Sequence, residues 1–184
     1  DEELNIINKS FMEYTGLNPH NLKLEQLLIQ NVVPGCVTMI NRKLYEEVIQ
    51  CTQVDHIRMH DQWCALVASA TGIISFVDLP LLKYRQHGDN VKGADSQKNI
   101  LRRAYNIILK ILDRKFIADL KEWHKMMQLQ ALELSKLRGI DAETRKLCLD
   151  FYELSNKNKV QRIKFYLKKR IRREKDNWWF LLWC

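Results

Sequence analysis

The sequence lacks a hydrophobic run long enough to cross a bilayer, and it lacks a secretion signal. The apolar stretch near its end, 178–183, is far shorter than the ~20 residues that a spanning helix needs. The first residues include neither a start methionine nor a basic segment followed by an apolar one. These absences predict a chain cut from a longer protein that has no membrane span in this part.

Paired cysteines are also missing, since the five cysteines form no CxxC pair and no metal-ligand spacing. Their odd number and scattered positions argue against a disulfide framework and indicate reduced thiols in a cytoplasmic protein. Cys36 and Cys64 lie in apolar stretches, so we expect small buried side chains there and not nucleophiles.

Acidic residues are nearly absent from the end of the chain. The formal net charge of the whole sequence is +8, but residues 157–175 contain ten lysines and arginines and only one acid, Glu174. The remaining residues therefore sum to about −1. A basic segment on a nearly neutral body predicts one anionic partner surface and not a generally basic protein.

Residues 1–95 have the pattern of an α/β layer. Short apolar or β-branched runs predict strands at 4–7, 73–77 and 81–85, and the run 36–40 also has strand composition. Helices are predicted at 22–28, at 42–50 after a capping Asn41, and at 60–70 before Gly72. Leu44, Val48 and Ile49 are expected to face inward. Strands and helices that alternate in so few residues indicate an α/β fold class.

The remaining sequence is dominated by helix formers. Residues 96–156 keep apolar side chains at helical spacing, from Ile100 to Leu112, from Phe116 to Leu134 and again over 142–154, which predicts two or three amphipathic helices. Residues 157–184 form a third region, a basic helix with Val160, Ile163, Leu167 and Ile171 on one stripe.

The composition of this tail favours the surface of an anionic membrane. Cations would contact headgroups and indoles would lie at the acyl boundary. A helix docked on another domain and a dimer contact stay open as alternatives, and nucleic acid is not expected because the aromatic residues are not interleaved with the basic ones. The residues expected at the membrane are Lys168, Lys169, Arg170, Arg172, Arg173, Trp178, Trp179 and Trp183.

Two short segments contain candidate site residues. His60 and Asp61 open a predicted helix beside Trp63, where the helix dipole favours an ionised acid. Asp61 is then either a plain N-cap or, if it points into a cleft, a general base. Arg85 and His87 follow a predicted strand, and strand ends in α/β sheets are common ligand sites. The other histidines, His20, His56 and His124, are expected to be surface or packing residues.

Three motifs in order resemble the second half of family 2 glycosyltransferases, and most closely the bacterial rhamnosyltransferase-like members. They are Asn31-Val-Val-Pro-Gly-Cys-Val-Thr-Met-Ile-Asn-Arg-Lys-Leu44, Met59-His-Asp-Gln-Trp63, and Leu82-Lys-Tyr-Arg-Gln-His-Gly-Asp-Asn-Val-Lys-Gly93. The resemblance covers about residues 1–95. It implies the C-terminal, acceptor-side half of a GT-A domain, which is a Rossmann-like α/β layer.

The resemblance also implies roles for single residues. Asp61 matches the catalytic base of inverting members, and Trp63, Asn31, Gly35 and His60 match the acceptor side. Arg85 and His87 would approach the donor diphosphate, and His87 would also reach the metal. Mg²⁺ or Mn²⁺ is implied as cofactor, but the Asp-x-Asp motif that holds it is not in this sequence. The resemblance therefore places the main metal ligands upstream, so we expect this chain alone to be inactive.

The expected function is transfer of a sugar from a nucleotide-sugar to a saccharide or lipid-linked saccharide of the cell surface. The nearest members suggest rhamnose from dTDP-rhamnose as the donor. The expected place is the cytoplasmic face of the membrane, bound peripherally, and exposed apolar surface leaves a homo-oligomer open. The alternative is a non-catalytic module that binds a membrane or a protein partner.

Overall fold

The computed structural model describes residues 1–86 and 113–174. These residues form seven α-helices and three short 3-10 turns, and no β-strand occurs among them. The turns are Gly35–Val37, Val54–His56 and Glu153–Asn156. The helices are α1 (Phe11–Thr15), α2 (Leu24–Leu27), α3 (Arg42–Val48), α4 (His60–Thr71), α5 (Arg114–Ser135), α6 (Ala142–Tyr152) and α7 (Lys159–Lys169).

Local capping explains where several helices begin. The side chain of Asn41 accepts a hydrogen bond from the Leu44 amide at the start of α3, as the sequence predicts. Asp141 caps α6 in the same way, and Asn158 forms a complete capping box with Gln161 in α7. Each cap satisfies amide groups that have no partner within the helix, which is worth about 1 kcal/mol.

The core lies where α2, α4, α5 and α6 meet. The 22 residues of α5 run through it, and α6 packs along α5 after the turn near Gly139. Burial of each large aliphatic side chain there stabilises the fold by roughly 1.5–3 kcal/mol. The most deeply buried apolar residues are Leu27, Leu28, Leu66, Val67, Met127, Ala131, Leu134, Phe151 and Leu154.

The predicted α/β class is wrong for the described residues, which are helical and contain no sheet. The segments 4–7, 73–77 and 81–85 have the composition of strands, but none of them is hydrogen-bonded into a ladder. A strand is stable only when another strand pairs with its backbone, so composition alone does not form one. The predicted half of a GT-A layer is therefore corrected to a helical assembly.

The same segments expose apolar side chains. Ile73 is 91% exposed, and Val77, Leu79, Leu81 and Leu82 are also exposed. Only Ile74 of this stretch packs against the core. An unpaired extended segment cannot bury both of its faces, so the inward orientation that a sheet would give these residues is not reached.

Three smaller predictions are also corrected. The run 36–40 is not a strand, because it begins in the turn Gly35–Val37, and Cys36 is exposed there and not buried. In α3, Leu44 and Val48 pack against the core as predicted, but Ile49 lies beyond the end of the helix and is exposed. The predicted helix over residues 100–112 lies outside the described residues.

Candidate functional site

Asp61 lies in the first turn of α4. The helix begins at His60, and its N-cap is Met59, which has extended backbone and makes no side-chain cap. The interpretation of Asp61 as the N-cap is therefore wrong. Its Oδ1 accepts a hydrogen bond from the Gln62 amide at 2.7 Å. Within the described residues Asp61 accepts no other hydrogen bond, so its Oδ2 remains available to a ligand.

The loop before the turn Gly35–Val37 packs directly against this carboxylate. A Cβ atom placed on Gly35 would lie 2.9 Å from Nε2 of His60 and 3.1 Å from Cβ of Asp61. It would also lie 3.6 Å from Oδ2 of Asp61. Only glycine allows the loop backbone to approach α4 so closely without displacing these two side chains.

Asn31 shapes the loop that carries Gly35. Its Oδ1 accepts a hydrogen bond from the Val33 amide at 2.9 Å, and its Nδ2 donates to the Val33 carbonyl at 3.0 Å. The side chain thus holds the backbone in one local turn, as asparagine does readily. The structure therefore brings Gly35, His60 and Asp61 together, and Asn31 shapes the loop that carries Gly35.

Arg58 also lies near the Asp61 carboxylate, although no sequence pattern predicts a role for it. Burial lowers the pKa of its guanidinium, and the attraction of the nearby Asp61 carboxylate opposes that shift. The guanidinium carbon lies 5.9 Å from the centre of the Trp123 ring. This cation–π contact fixes a positive charge beside the candidate base. No local signal marks Arg58, because its partners lie on α4 and α5.

A buried carboxylate holds the segment that leads into α4. Glu133 on α5 is 1% exposed, and it accepts hydrogen bonds from Thr52 at 2.9 Å, from the His56 ring at 2.9 Å and from Lys136. Burial alone would raise the pKa of Glu133, but the bonds from Lys136, His56 and Thr52 outweigh it and lower the pKa below its usual range.

Gln130, a second buried side chain on α5, holds the same segment, and we call Glu133 and Gln130 together the clamp. Gln130 accepts a hydrogen bond from the Arg58 amide at 3.0 Å. Gln130 and Glu133 lie three residues apart and therefore share one face of the helix. Together they fix residues 52–58, and with them the start of α4 and the position of Asp61.

Replacement of Glu133 by Gln should loosen this clamp. We expect a loss of ~1–2 kcal/mol in the free energy of unfolding at neutral pH, because a buried hydrogen-bonded charge is removed. Since the pKa of Glu133 is lowered in the folded state, its stabilisation is present at neutral pH and is lost as the pH falls through the folded-state pKa. Urea unfolding at several pH values measures the effect, and the two proteins should converge in acid.

The matched control is Glu46→Gln in α3. Glu46 pairs with Arg42 at 3.0 Å, but both side chains are exposed, so its loss should cost close to zero. Amide hydrogen exchange gives a local readout, since exchange at Arg58 should speed up in the Glu133 variant alone. Equal effects of the two substitutions would show that Glu133 is no stronger a clamp than a surface pair.

Trp63 lies in the core and not at the surface of the site. Its side chain is 3% exposed, and the indole N–H donates to the Val48 carbonyl at 3.1 Å. The adjacent Gln62 is also buried, and its amide donates to the Leu27 carbonyl at 3.1 Å. These two residues tie α4 to α2 and α3. Trp63 therefore supports the site from beneath and offers no open ring face to an acceptor.

The predicted diphosphate residues are only partly described. Arg85 is exposed on the extended segment that follows Pro80, and the neighbouring Tyr84 ring packs edge-on against Phe11 at 5.4 Å. Before Pro80, Phe76 packs edge-on against His20. His87 lies outside the described residues. The role of both residues at a donor diphosphate stays a prediction.

The cations predicted at a membrane fall into two groups. Lys168, Arg170 and Arg172 are exposed. Lys169 lines a crevice with Glu25, Asp141 and Glu143, and Arg173 lies over the Trp123 ring at 5.7 Å. Arg173 thus has a partner in the body of the protein, and Lys169 lies beside a crevice that three acidic residues also line. The predicted tryptophans Trp178, Trp179 and Trp183 lie outside the described residues.

The site residues do not by themselves form a metal centre. In residues 1–86 and 113–174 no three His, Cys, Asp or Glu side chains are grouped so that they could hold an ion. Mg²⁺ prefers six oxygen ligands in an octahedron, and no such set of ligands surrounds Asp61 in the described part of the chain. The described residues therefore do not by themselves supply the ligands of Mg²⁺ or Mn²⁺, and since the resemblance places the main ligands upstream, this cofactor stays a prediction.

Burial makes two of the cysteines, Cys64 and Cys148, poor nucleophiles. Burial raises the pKa of the Cys64 thiol, and the negative charge of Asp61 raises it further. Burial also raises the pKa of Cys148, to about 12. Since the thiolate is the reactive form, both side chains are inert near neutral pH.

No protein-family model matches the chain, and no curated protein or solved structure shows significant similarity to it. The assignment of a function consequently rests on the residues and their arrangement.

Proposed function

We propose that Asn31, Gly35, His60 and Asp61 form the acceptor side of a site that transfers a sugar from a nucleotide-sugar donor. The observation that supports this is the close approach of Gly35 to His60 and Asp61. Gly35 and His60 lie 25 positions apart in the chain, and the two motifs that contain them, which the resemblance assigns to one site, are thus in contact. A side chain at position 35 would take the space that His60 and Asp61 occupy. The glycine therefore keeps these two side chains in place.

Asp61 acts as the general base in this proposal. Its carboxylate takes the proton from an acceptor hydroxyl while that oxygen attacks the anomeric carbon of the donor sugar. The bond from this carbon to the nucleoside diphosphate breaks, and the diphosphate leaves with the bonding electrons. Attack from the face opposite the leaving group inverts the anomeric centre, and a single carboxylate is enough for such a displacement.

His60 and Arg58 have supporting roles. The exposed His60 ring lies beside the Gly35 backbone and can hydrogen-bond a second hydroxyl of the acceptor. Arg58 keeps a positive charge near the Asp61 carboxylate, and the two groups attract each other. We propose that Mg²⁺ or Mn²⁺ and the donor, with dTDP-rhamnose as the first candidate, are held by residues outside this group.

Gly35→Val tests the observation that supports the proposal. The new side chain would push His60 and Asp61 out of position, so we expect sugar transfer by the complete transferase to fall by at least about 100-fold. The cost in unfolding free energy should stay within ~1–3 kcal/mol, because the loop lies near the surface and is able to shift. Turnover is measured as formation of glycosylated acceptor, and stability by urea unfolding.

Gly139→Val is the matched control for this variant. A Cβ on Gly139 would also meet side-chain atoms, at 3.2 Å from Oε1 of Glu47, but these atoms belong to no predicted site residue. We expect the control to keep most of its turnover. Full turnover in the Gly35 variant would mean that the approach of this loop to α4 has no part in transfer.

The proposed location is peripheral, at the cytoplasmic face of the cell membrane. Among the described helices, none is both long and apolar enough to cross a bilayer. The concentration of positive charge in residues 157–175 supports attraction to anionic headgroups at the cytoplasmic leaflet. There the transferase would meet a saccharide or lipid-linked saccharide as its acceptor.

A further inference from the structure

Helix α7 has an unusual distribution of charge. No acidic residue occurs from Lys157 to Arg173, so positive charges on this helix are not neutralised along the chain. The sequence pattern placed Val160, Ile163, Leu167 and Ile171 on one apolar stripe. A stripe of that kind would be buried as a unit if the helix simply packed on the body of the protein.

The structure divides that stripe between two faces. Ile171 is buried, Ile163 is half-buried, and Tyr166 joins them on the inner side. Val160 is 60% exposed and Leu167 is 67% exposed. Lys164 and Lys168 are exposed as well, and positions 160, 164, 167 and 168 have the helical spacing of a single face. We call Val160, Lys164, Leu167 and Lys168 the outer face of α7.

The outer face belongs to a helix that is fixed to the body. The carbonyl of Arg170 accepts a hydrogen bond from the Gln26 side chain at 2.7 Å, and the Arg172 amide donates to the same side chain at 3.3 Å. The Glu174 amide donates to Gln30 at 2.9 Å. Gln30 directly precedes Asn31, so the segment after α7 is held beside the loop of the candidate site.

We infer that the outer face of α7 binds an anionic lipid surface. Lys164 and Lys168 contact the headgroups, and Val160 and Leu167 enter the boundary between headgroups and acyl chains. This inference rests on the proposed peripheral location and adds the surface that would make the contact. The argument is charge complementarity, since an unneutralised basic face is matched by the negative cytoplasmic leaflet.

Exposed aliphatic residues favour a lipid surface over nucleic acid. A nucleic-acid groove places aromatic rings among its cations, so that bases stack on them. Here the aromatic residues of α7, Phe165 and Tyr166, turn toward the core, and two aliphatic side chains lie between the lysines instead. Aliphatic side chains gain free energy in acyl chains and gain little against a phosphate backbone.

The first test neutralises the two lysines of the outer face. For Lys164→Gln with Lys168→Gln we expect roughly 30-fold weaker binding to vesicles, because each lysine near an anionic surface contributes about fivefold. The vesicles contain about one-third phosphatidylglycerol in phosphatidylcholine, and flotation measures the bound fraction. The matched control is Lys121→Gln with Lys125→Gln, an exposed pair of the same spacing on α5.

The second test concerns the apolar part of the face. Leu167→Gln should weaken vesicle binding about tenfold, and this loss should persist at high salt, since the hydrophobic contribution is not screened. Leu149→Gln is the control, because Leu149 is also an exposed leucine but lies on α6. Circular dichroism checks that each variant keeps its helix content.

The outcomes separate this inference from the proposed location. Failure of the unmodified protein to bind anionic vesicles overturns both. If it binds but the outer-face variants bind equally well, the location stands and another segment makes the contact. A lysine-dependent affinity for duplex DNA that exceeds the affinity for vesicles would assign the face to nucleic acid and overturn the inference. Selective loss in the outer-face variants supports it.

Discussion

Asp61→Asn should reduce sugar transfer by about 100- to 10,000-fold, the usual contribution of a positioned general base. Asparagine has nearly the same size and still offers an oxygen to the Gln62 amide, whose hydrogen bond Asp61 accepts at 2.7 Å. It cannot take up the proton of the acceptor hydroxyl. The loss should appear in kcat and not in KM, because the proton is transferred only as the acceptor oxygen attacks.

Two controls separate a catalytic effect from a structural one. The substitution removes a negative charge from the first turn of α4, which should cost only ~0.3–1 kcal/mol in unfolding free energy. Asp55→Asn makes the same chemical change on an exposed residue of the turn Val54–His56, which precedes α4. It should leave turnover unchanged. Wild-type turnover in the Asp61→Asn variant would reduce Asp61 to a helix-stabilising acid.

The parts of the fold that depend on near neighbours in the chain could be predicted. Asn41 marks the start of α3, and α4 runs from His60 to Thr71 and ends at Gly72, within one residue of the prediction. Caps and terminal glycines act through hydrogen bonds to residues three or four positions away. Such signals are present in the sequence itself, so these helices were found with correct type and nearly correct bounds.

The predicted strands failed because their stability is not local. The segment from Ile73 to Val77 has strong strand composition, yet its backbone forms no ladder in the described residues. A strand gains its stability from a partner strand and from packing on a sheet face. Neither condition is visible in the composition of the segment. Composition alone therefore does not determine whether these segments form an α/β sheet.

In the candidate site, too, local features are predictable from the sequence and contacts between distant residues are not. The placement of Asp61 in a first helical turn follows from local pattern, but the approach of Gly35 to it does not. The hydrogen bond between His56 and Glu133 joins residues 77 positions apart, and no local sequence pattern predicts it. Trp63 is predicted as a site residue but lies in the core. An aromatic side chain beside a polar motif is compatible with either position.

We expect the free energy of unfolding to fall in mild acid because of one buried histidine, His124. This residue lies on the inner face of α5, and its Nδ1 is 2.9 Å from the Leu120 carbonyl. Burial lowers the pKa of the ring from 6.5 to about 3, although the hydrogen bond to Leu120 opposes the shift. The positive charges of Arg173 and Arg162 lower it further. His124 is therefore neutral in the folded protein at every pH above that range.

The unfolded chain, in contrast, protonates this histidine below pH 6.5. The unfolded state then binds more protons than the folded state, so stability falls with pH by about 1.4 kcal/mol for each unit. Between about pH 7 and 4.5 we expect a loss of roughly 2–3 kcal/mol, measured by urea unfolding. Glu133 loses its stabilisation as the pH falls from its unfolded-state pKa of 4.5 through its lowered folded-state pKa, so it affects only the acid edge of this window.

His124→Gln should flatten the slope, because glutamine has no proton to gain in this range. The substitution changes a packed core position and will lower stability at neutral pH, so the slope and not the absolute value is compared between proteins. His20→Gln is the matched control, since His20 is exposed beside Phe76. It should leave the slope as it is in the unmodified chain. If the slope survives in the His124→Gln variant, the acid sensitivity comes from other groups and His124 is not the buried neutral base that its surroundings on α5 require.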